Sequence, residues 1–261
     1  MLGTLVKTGR VLELFSPAQP EWGVTELATT LGLSKSNVHD LVSSLVAINL
    51  LQRTAAGRYR LGWRILSMAN SLAGIPGLRR HGQRMLHEMA QITEQTTHLA
   101  VWDGGRLVFL SRSVPPTGLN QSHTRPGCYL PAYCTASGKV LLAELSWPEV
   151  CERATREGFL ERTPKTIQTM GEFRNELQQT VDRGYGINVE ETDSGVCSMA
   201  VPVRARDGHA VAALGVSMPS NAFDRFTSTH LQTVKRVATR LSNALEASWD
   251  VADPAYLNQA S

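Results

Sequence analysis

The residues of this 261-residue chain best equipped for chemistry fall into two groups. The first lies in LGLSKSNVHDLVSSL, Leu31 to Leu45, where Lys35, Ser36, Asn37, His39, Asp40 and Ser43 stand between apolar residues at helical spacing. With Arg53, Arg58 and Arg60 a few residues on, these side chains suit hydrogen bonding to base edges and phosphates. The second group, Cys134, His98, His123 and Ser137-Gly138-Lys139, holds the groups that a hydrolytic enzyme would use. Ser137-Gly138-Lys139 lacks the glycine spacing of a phosphate-binding loop, and no GxSxG, HExxH or GxGxxG occurs. Cys134 with His98 or His123 makes a thiol and base only if the fold joins them, and His98, Cys134 and Cys197 lack metal-ligand spacing. Recognition is favoured over catalysis, and no cofactor is implied.

The first group needs elements to position it. Leu5, Val6, Val11, Leu12, Leu14 and Phe15 predict an amphipathic helix that Ser16-Pro17 stops. Thr25 is the expected N-cap of a second, short helix carrying Leu27, Ala28 and Leu31, which Gly32 ends, and it joins the DNA-facing set. Ser34 caps a third helix, whose buried face is Val38, Leu41, Val42, Leu45 and Val46. At ~100° per residue the opposite face centres on Ser36, Asp40 and Ser43, flanked by His39 and Lys35. This pair is either an ordinary helical hairpin or a helix-turn-helix. LLQRTAAGRYRLG favours the latter. Its strand-like runs Leu51 to Arg53 and Tyr59 to Leu61 make a basic wing, whose Arg53, Arg58 and Arg60 would meet phosphates or a minor groove.

Charge agrees with that placement. Residues 1–64 hold seven basic and four acidic side chains, so the whole net charge of +3 sits there, whereas the remainder is balanced at 19 of each sign. The longest apolar runs are about a third of a membrane span, and no signal peptide is apparent, so a cytoplasmic protein without a membrane partner is expected. The four cysteines, Cys128, Cys134, Cys151 and Cys197, are too scattered for a disulfide framework and read as buried thiols.

The division expected is a DNA-binding domain over 1–62, a linker helix over 63–76 and a second domain over 77–261, with the break at Gly74-Ile75-Pro76-Gly77. Ile65, Leu66, Ala69 and Leu72 line one face of the linker helix, and Leu78, Met85, Leu86, Met89 and Ile92 the inward face of the next. Hairpins at His98 to Ser113 and Val196 to Met218, with helices near Gly138 to Leu145, Pro148 to Glu157, Met170 to Arg183 and Ser228 to Trp249, argue an α+β fold. Its antiparallel sheet would have one apolar side covered by helices. The long loop Val114 to Gly127 is a candidate lid over a pocket.

GRVLELF, VTELATTLGLSKSNVHDLVSSL and GRYRLGWRILSMA resemble the N-terminal domain of the IclR family of bacterial transcription regulators. LPAYCTASGKVLLAEL and RGYGINVEETDSGVCSMAVPVRARDGHAVAALGVSMPS are similar to that family's second domain, so the resemblance covers nearly the whole chain. It implies a winged helix-turn-helix, a double-stranded DNA operator, a GAF-like domain binding a small-molecule effector, and a homodimer or homotetramer. Carried over by position, the effector pocket falls on Leu119, Ser122, Leu130, Ala136, Ser137, Asn188, Val196, Ser198, Gly215 and Ser217. Three departures bear on the ligand: Asn188 replaces a common Asp, Ser198 a Cys, and Gly215 a Ser of some members. A neutral Asn188 offers donor and acceptor, and Gly215 opens room, so the expected effector exceeds a short keto acid and is an aromatic acid or amide. Lys139, Arg125, His98 and Tyr133 are candidates to meet its carboxylate or ring. The alternatives are an enzyme acting on a small organic acid and a DNA-binding protein that ignores metabolites.

The family commonly has Pro at position 34, Thr at 37 and Arg at 40, so Asp40 reverses a charge on the helix meant for DNA. The carboxylate either accepts from a cytosine amine or holds Arg10 or Arg53 in place. The second is preferred, since a carboxylate near phosphates lowers affinity unless paired, and it implies that removing Asp40 weakens binding to every operator sequence.

Overall fold

Val38, Leu41, Val42 and Leu45 recur at three- and four-residue spacing because one helix face must leave water. The computed structural model describes residues 2–70, 78–103, 105–120 and 124–249 and divides the chain into two units, one ending at Gly74 and the other beginning at Ile75. The first unit contains α1 (Gly3–Glu13), α2 (Val24–Leu31), α3 (Lys35–Ala47), β1 (Leu51–Arg53), β2 (Tyr59–Leu61) and α4 (Arg64–Asn70). Its core joins Val11, Trp22, Leu27, Leu31, the α3 residues just named, Leu51 and Tyr59. The wing strands pair antiparallel, Leu51 with Leu61 and Arg53 with Tyr59, and Trp22 exchanges backbone hydrogen bonds with Tyr59.

Ser34 caps α3, its hydroxyl accepting the Asn37 N–H at 3.3 Å. Gly32 ends α2 in the left-handed conformation. Thr25, by contrast, is not the cap of α2. Gly23 takes that position because Glu26 reaches back to accept its N–H at 2.9 Å, leaving Thr25 exposed in the first turn. Leu5 and Val6 are exposed rather than buried, and so are Leu66 of α4 and Ile92 of the following helix; Leu72 lies outside the described residues. Helical periodicity marks a face but does not say how far the core extends along it.

The second unit runs α5 (Leu78–Thr93), β3 (Thr96–Asp103), β4 (Arg106–Ser113), β5 (Tyr129–Leu130), α6 (Ala136–Leu142), α7 (Trp147–Glu157), α8 (Met170–Arg183), β6 (Gly186–Val189), β7 (Val196–Arg204), β8 (Ala210–Pro219) and α9 (Ser220–Trp249). The strands form one antiparallel sheet in the order β5-β4-β3-β8-β7-β6. Helices cover both sides of it, not one. Leu99, Met199, Leu214 and Val216 meet Met85, Leu86 and Met89 of α5 and Val234, Val237 and Leu241 of α9. On the other face Ala100, Phe109, Ala200 and Ala213 pack with α6, Val150 of α7 and Phe173 of α8. The central strands are buried residue after residue, the pattern of a sheet with no wet face.

Small residues on the second face let α6 lie close. A Cβ at Gly186 of β6 would stand 2.3 Å from the Ala136 carbonyl oxygen, and one at Gly138 would stand 2.3 Å from that of Ala132. Gly186→Ala is therefore expected to lower stability by about 1–3 kcal/mol through forced backbone separation. Gly171→Ala, in α8 with open space around its Cα, is expected to hold or raise stability. Urea unfolding of the two variants beside the parent chain checks the contrast.

Candidate functional site

The DNA-facing candidates belong to the N-terminal unit, and most of them are exposed. Lys35, Ser36, His39, Asp40 and Ser43 project from α3 into solvent, Asn37 is half-buried beside the cap, and Arg53 and Arg60 stand exposed on the wing. Arg58 does not join them. It donates to Glu26 Oε2 at 2.6 Å and Oε1 at 3.0 Å and to the Glu21 carbonyl at 2.9 Å, so it ties the wing to α2. The Arg58 hydrogen bonds, and then the Gly23 N–H, hold the Glu26 carboxyl below its ordinary 4.5. Asp40 is not paired with Arg10 or Arg53: the ion pair recorded for it is with the neighbouring His39, at 3.9 Å, and its side chain is 84% exposed. An i, i+1 pair on a helix does not face inward, and neither arginine comes within reach.

In the second unit, a cavity of about 330 Å³, its open mouth included, lies between the sheet and the start of α6. Leu130, Ala136, Ser137, Asn188, Val196, Ser198 and Ser217 line it, as does His98. Leu119 does not; its carbonyl accepts the Thr96 hydroxyl at 2.6 Å. Ser122 and His123 lie outside the described residues. Gly215 does not open room, because His98 occupies it: a Cβ at Gly215 would stand 2.3 Å from His98 Nε2. Asn188 is not free for a ligand either. Its Oδ1 accepts the Glu191 N–H at 2.7 Å, and its Nδ2 donates to Thr192 Oγ1 at 3.1 Å.

Phe109, Thr124, Thr135, Thr192 and Asp193 also line the cavity, unforeseen from the sequence. Alternation along β4 could have marked Phe109, and Thr135 could have been found as the cap of α6, where it accepts the Gly138 N–H at 3.1 Å. Thr192 and Asp193 carry no such signal. Of the long loop, Thr124 reaches the cavity, and Arg112 donates to Thr124 at 3.1 Å and to Asn120 at 2.7 Å.

The catalytic candidates are disarmed. Burial pushes the Cys134 thiol up to about 12, and its Sγ–H donates to the Pro131 carbonyl at 3.7 Å. Burial, then the nearby Arg112 charge, pushes His98 down to about 4, so the ring is neutral at physiological pH. The Tyr133 hydroxyl donates to the Leu160 carbonyl at 2.7 Å, and Arg125 does not line the cavity. Lys139 is not available to a ligand carboxylate. Buried at 1% exposure, its ammonium donates to Glu191 Oε1 at 2.6 Å and to the Ile187 carbonyl at 3.0 Å, with Glu176 at 3.4 Å. Among the described residues no group of three or more His, Cys, Asp or Glu could hold a metal ion, and no helix is long and apolar enough to cross a membrane.

Two expectations follow from these pairs. Lys139→Met leaves Glu191 buried without its cation and should lower stability by about 3–5 kcal/mol in denaturant titration, whereas Lys139→Met with Glu191→Met should recover most of it. For Glu26, a folded-state value below 4.5 means that its contribution is complete above that pH and is lost as pH falls through the lower value. The melting-temperature difference between the parent and Glu26→Gln should accordingly be present at neutral pH and vanish in strong acid.

Comparison with known proteins joins the two halves. The model described as "IclR helix-turn-helix domain" matches residues 4–55, and "Bacterial transcriptional regulator IclR C-terminal" matches residues 74–243. The HTH-type transcriptional regulator XynR of Escherichia coli (strain K12) is 31% identical over 240 residues, covering 90% of this chain and 94% of that protein. The glycerol operon regulatory protein of Streptomyces griseus is 30% identical over 240 residues, covering 89% and 92%. In fold, the chain matches an IclR homolog from Microbacterium hydrocarbonoxydans complexed with 4-hydroxybenzoate, with a TM-score of 0.83, 24% identity, and 94% and 100% of the two chains covered. Helix-turn-helix, six-stranded effector domain and relatives agree, and this chain belongs to the IclR family of bacterial transcriptional regulators.

Proposed function

We propose that this regulator binds its operator through residues 1–62 and responds to a small organic effector held by residues 77–261, with 63–76 as the linker that couples them. The observation that carries this reading is the half-enclosed cavity, whose walls bring together Leu130, Ala136, Ser137, Asn188, Val196, Ser198 and Ser217 from five elements, β5, α6, β6, β7 and β8. A single aromatic ring bearing an acid or amide suits a cavity whose wall joins apolar side chains to a few polar ones. The fold relative's complex with 4-hydroxybenzoate lends support to that class. The protein acts in the cytoplasm as a homodimer or homotetramer, and effector binding changes the spacing of paired DNA-binding domains on a two-fold symmetric operator.

On DNA, Lys35, Arg53 and Arg60 contact phosphates while Ser36, Asn37, His39, Asp40 and Ser43 approach the major groove, with Thr25 and Ser34 beside the backbone. Arg58 acts through Glu26 instead, setting the angle of the wing. Because Asp40 is exposed and has no arginine beside it, direct reading of a base is now the better account.

A gel shift with the DNA upstream of the protein's own gene, with and without a panel of aromatic acids and amides, tests the whole reading. A sequence-specific shift altered by a member of the panel is expected; the absence of any sequence-specific shift at moderate salt overturns it. Arg53→Ala and Arg60→Ala should each weaken binding to all sequences and reduce the salt slope by about one. Asp40→Ala should relax preference at one base position and leave binding to other sites nearly unchanged.

A further inference from the structure

Two polar groups in the cavity are buried without a hydrogen-bond partner among the described residues. His98 is 3% exposed and Ser137 is 1% exposed; His98 Nδ1 and Ser137 Oγ are both unsatisfied. Leaving such groups unpaired is unfavourable by about 1–3 kcal/mol each, so a native site that keeps two of them is arranged for something that binds there. The other polar groups of the wall are engaged. Asn188 and Thr192 bond to each other, the Thr192 hydroxyl donates to the Cys134 carbonyl at 2.7 Å, and Thr135 caps its helix.

The charges of the site decide what the partner can be. His98 is neutral above a pH of about 4, and an acidic residue, Asp193, stands in the same lining. Lys139, the cation nearest in sequence to Ser137, is held by Glu191 and the Ile187 carbonyl. Arg112, whose charge acts on His98, already donates to Thr124 and Asn120, so a carboxylate brought to His98 and Ser137 would lose water and have to compete for that guanidinium, which is unfavourable. A hydroxyl fits both groups, since it donates to a ring nitrogen and accepts from a serine. The remaining walls suit a ring: Leu130, Val196 and Ala136 are apolar, and Phe109 meets the His98 imidazole edge to face at 5.3 Å between centroids.

We infer that His98 and Ser137 form a specificity subsite for an uncharged hydroxyl group on a monocyclic aromatic effector, any carboxylate or amide of which lies at another end of the cavity. Gly215 is part of this device, because only a residue without a side chain leaves the imidazole its place. The inference rests on the effector reading above and adds to it the group that is recognised and the residues that recognise it.

The test uses the full chain and two matched pairs of probes, 4-hydroxybenzamide with benzamide and 4-hydroxybenzoate with benzoate, titrated by calorimetry. In the parent chain each hydroxylated ring should bind about tenfold more tightly than its partner. His98→Leu and Ser137→Ala should each bring that ratio close to one, and His98→Asn, which keeps a polar atom near the position of Nδ1, should restore part of it. A merely structural role would lower all affinities together and leave the ratio as it was. Should His98→Leu fail to fold, Ser137→Ala still decides. Equal binding within each pair by the parent chain, or a ratio untouched by every variant, overturns the subsite and leaves the aromatic effector standing. If none of the four compounds binds, the aromatic reading falls together with it.

Discussion

The second domain depends on how the chain manages one buried ammonium. Lys139 sits in the middle of α6, where the helix lies against the sheet, and almost none of it reaches water. Placing a charge there is unfavourable by several kcal/mol unless an opposite charge and further hydrogen bonds meet it. Glu191 and the Ile187 carbonyl do so, with Glu176 close by. Burial pushes the Glu191 carboxyl up, against the pull of Lys139, which is what two ions withdrawn from solvent together should display. The turn after β6 is thereby drawn onto α6, and Asn188, Thr192 and Asp193 on that turn become a wall of the cavity.

The same helix explains why the catalytic possibilities dissolve. Gly138 and Gly186 let it approach the sheet closely, Cys134 and His98 are both buried, and that burial keeps both neutral. What such a site does well is recognise shape and hydrogen bonds. The DNA-facing surface follows the opposite rule. Lys35, Arg53 and Arg60 remain in water, and Arg58 alone among the wing arginines is drawn back to Glu26. Asp40 is likewise left in water, with neither Arg10 nor Arg53 beside it.

Much of this was legible before any coordinates. The bounds of β1, β2 and α8 follow from alternation, helical period and turn residues, and so does the capping of α3 by Ser34. The winged helix-turn-helix and the antiparallel sheet were readable because local patterns of apolar residues carry them. The cavity was partly readable, through resemblance, at seven positions that do meet around it. The misreadings are of one kind. Thr25, Arg58, Asn188, Lys139 and Gly215 have the right chemistry for the roles first given to them, but in each case a competing cap or a partner that the folded chain brings alongside had already claimed the position.

The sequence by itself determined the elements, the family and the residue types that DNA and a small molecule would meet, because these depend on spacing along a chain. Only the tertiary structure decided which polar atoms stay available. Glu26 is 32 residues from Arg58, and Glu191 is 52 from Lys139; pairs so far apart are chosen by the packing of the whole domain. His98 over Gly215 is the same case, since two strands that adjoin in the sheet are remote in the chain. Hydrogen bonds and ion pairs saturate, so a side chain engaged within the fold is withdrawn from function. Which ones are engaged is a property of three-dimensional contacts that no local pattern records.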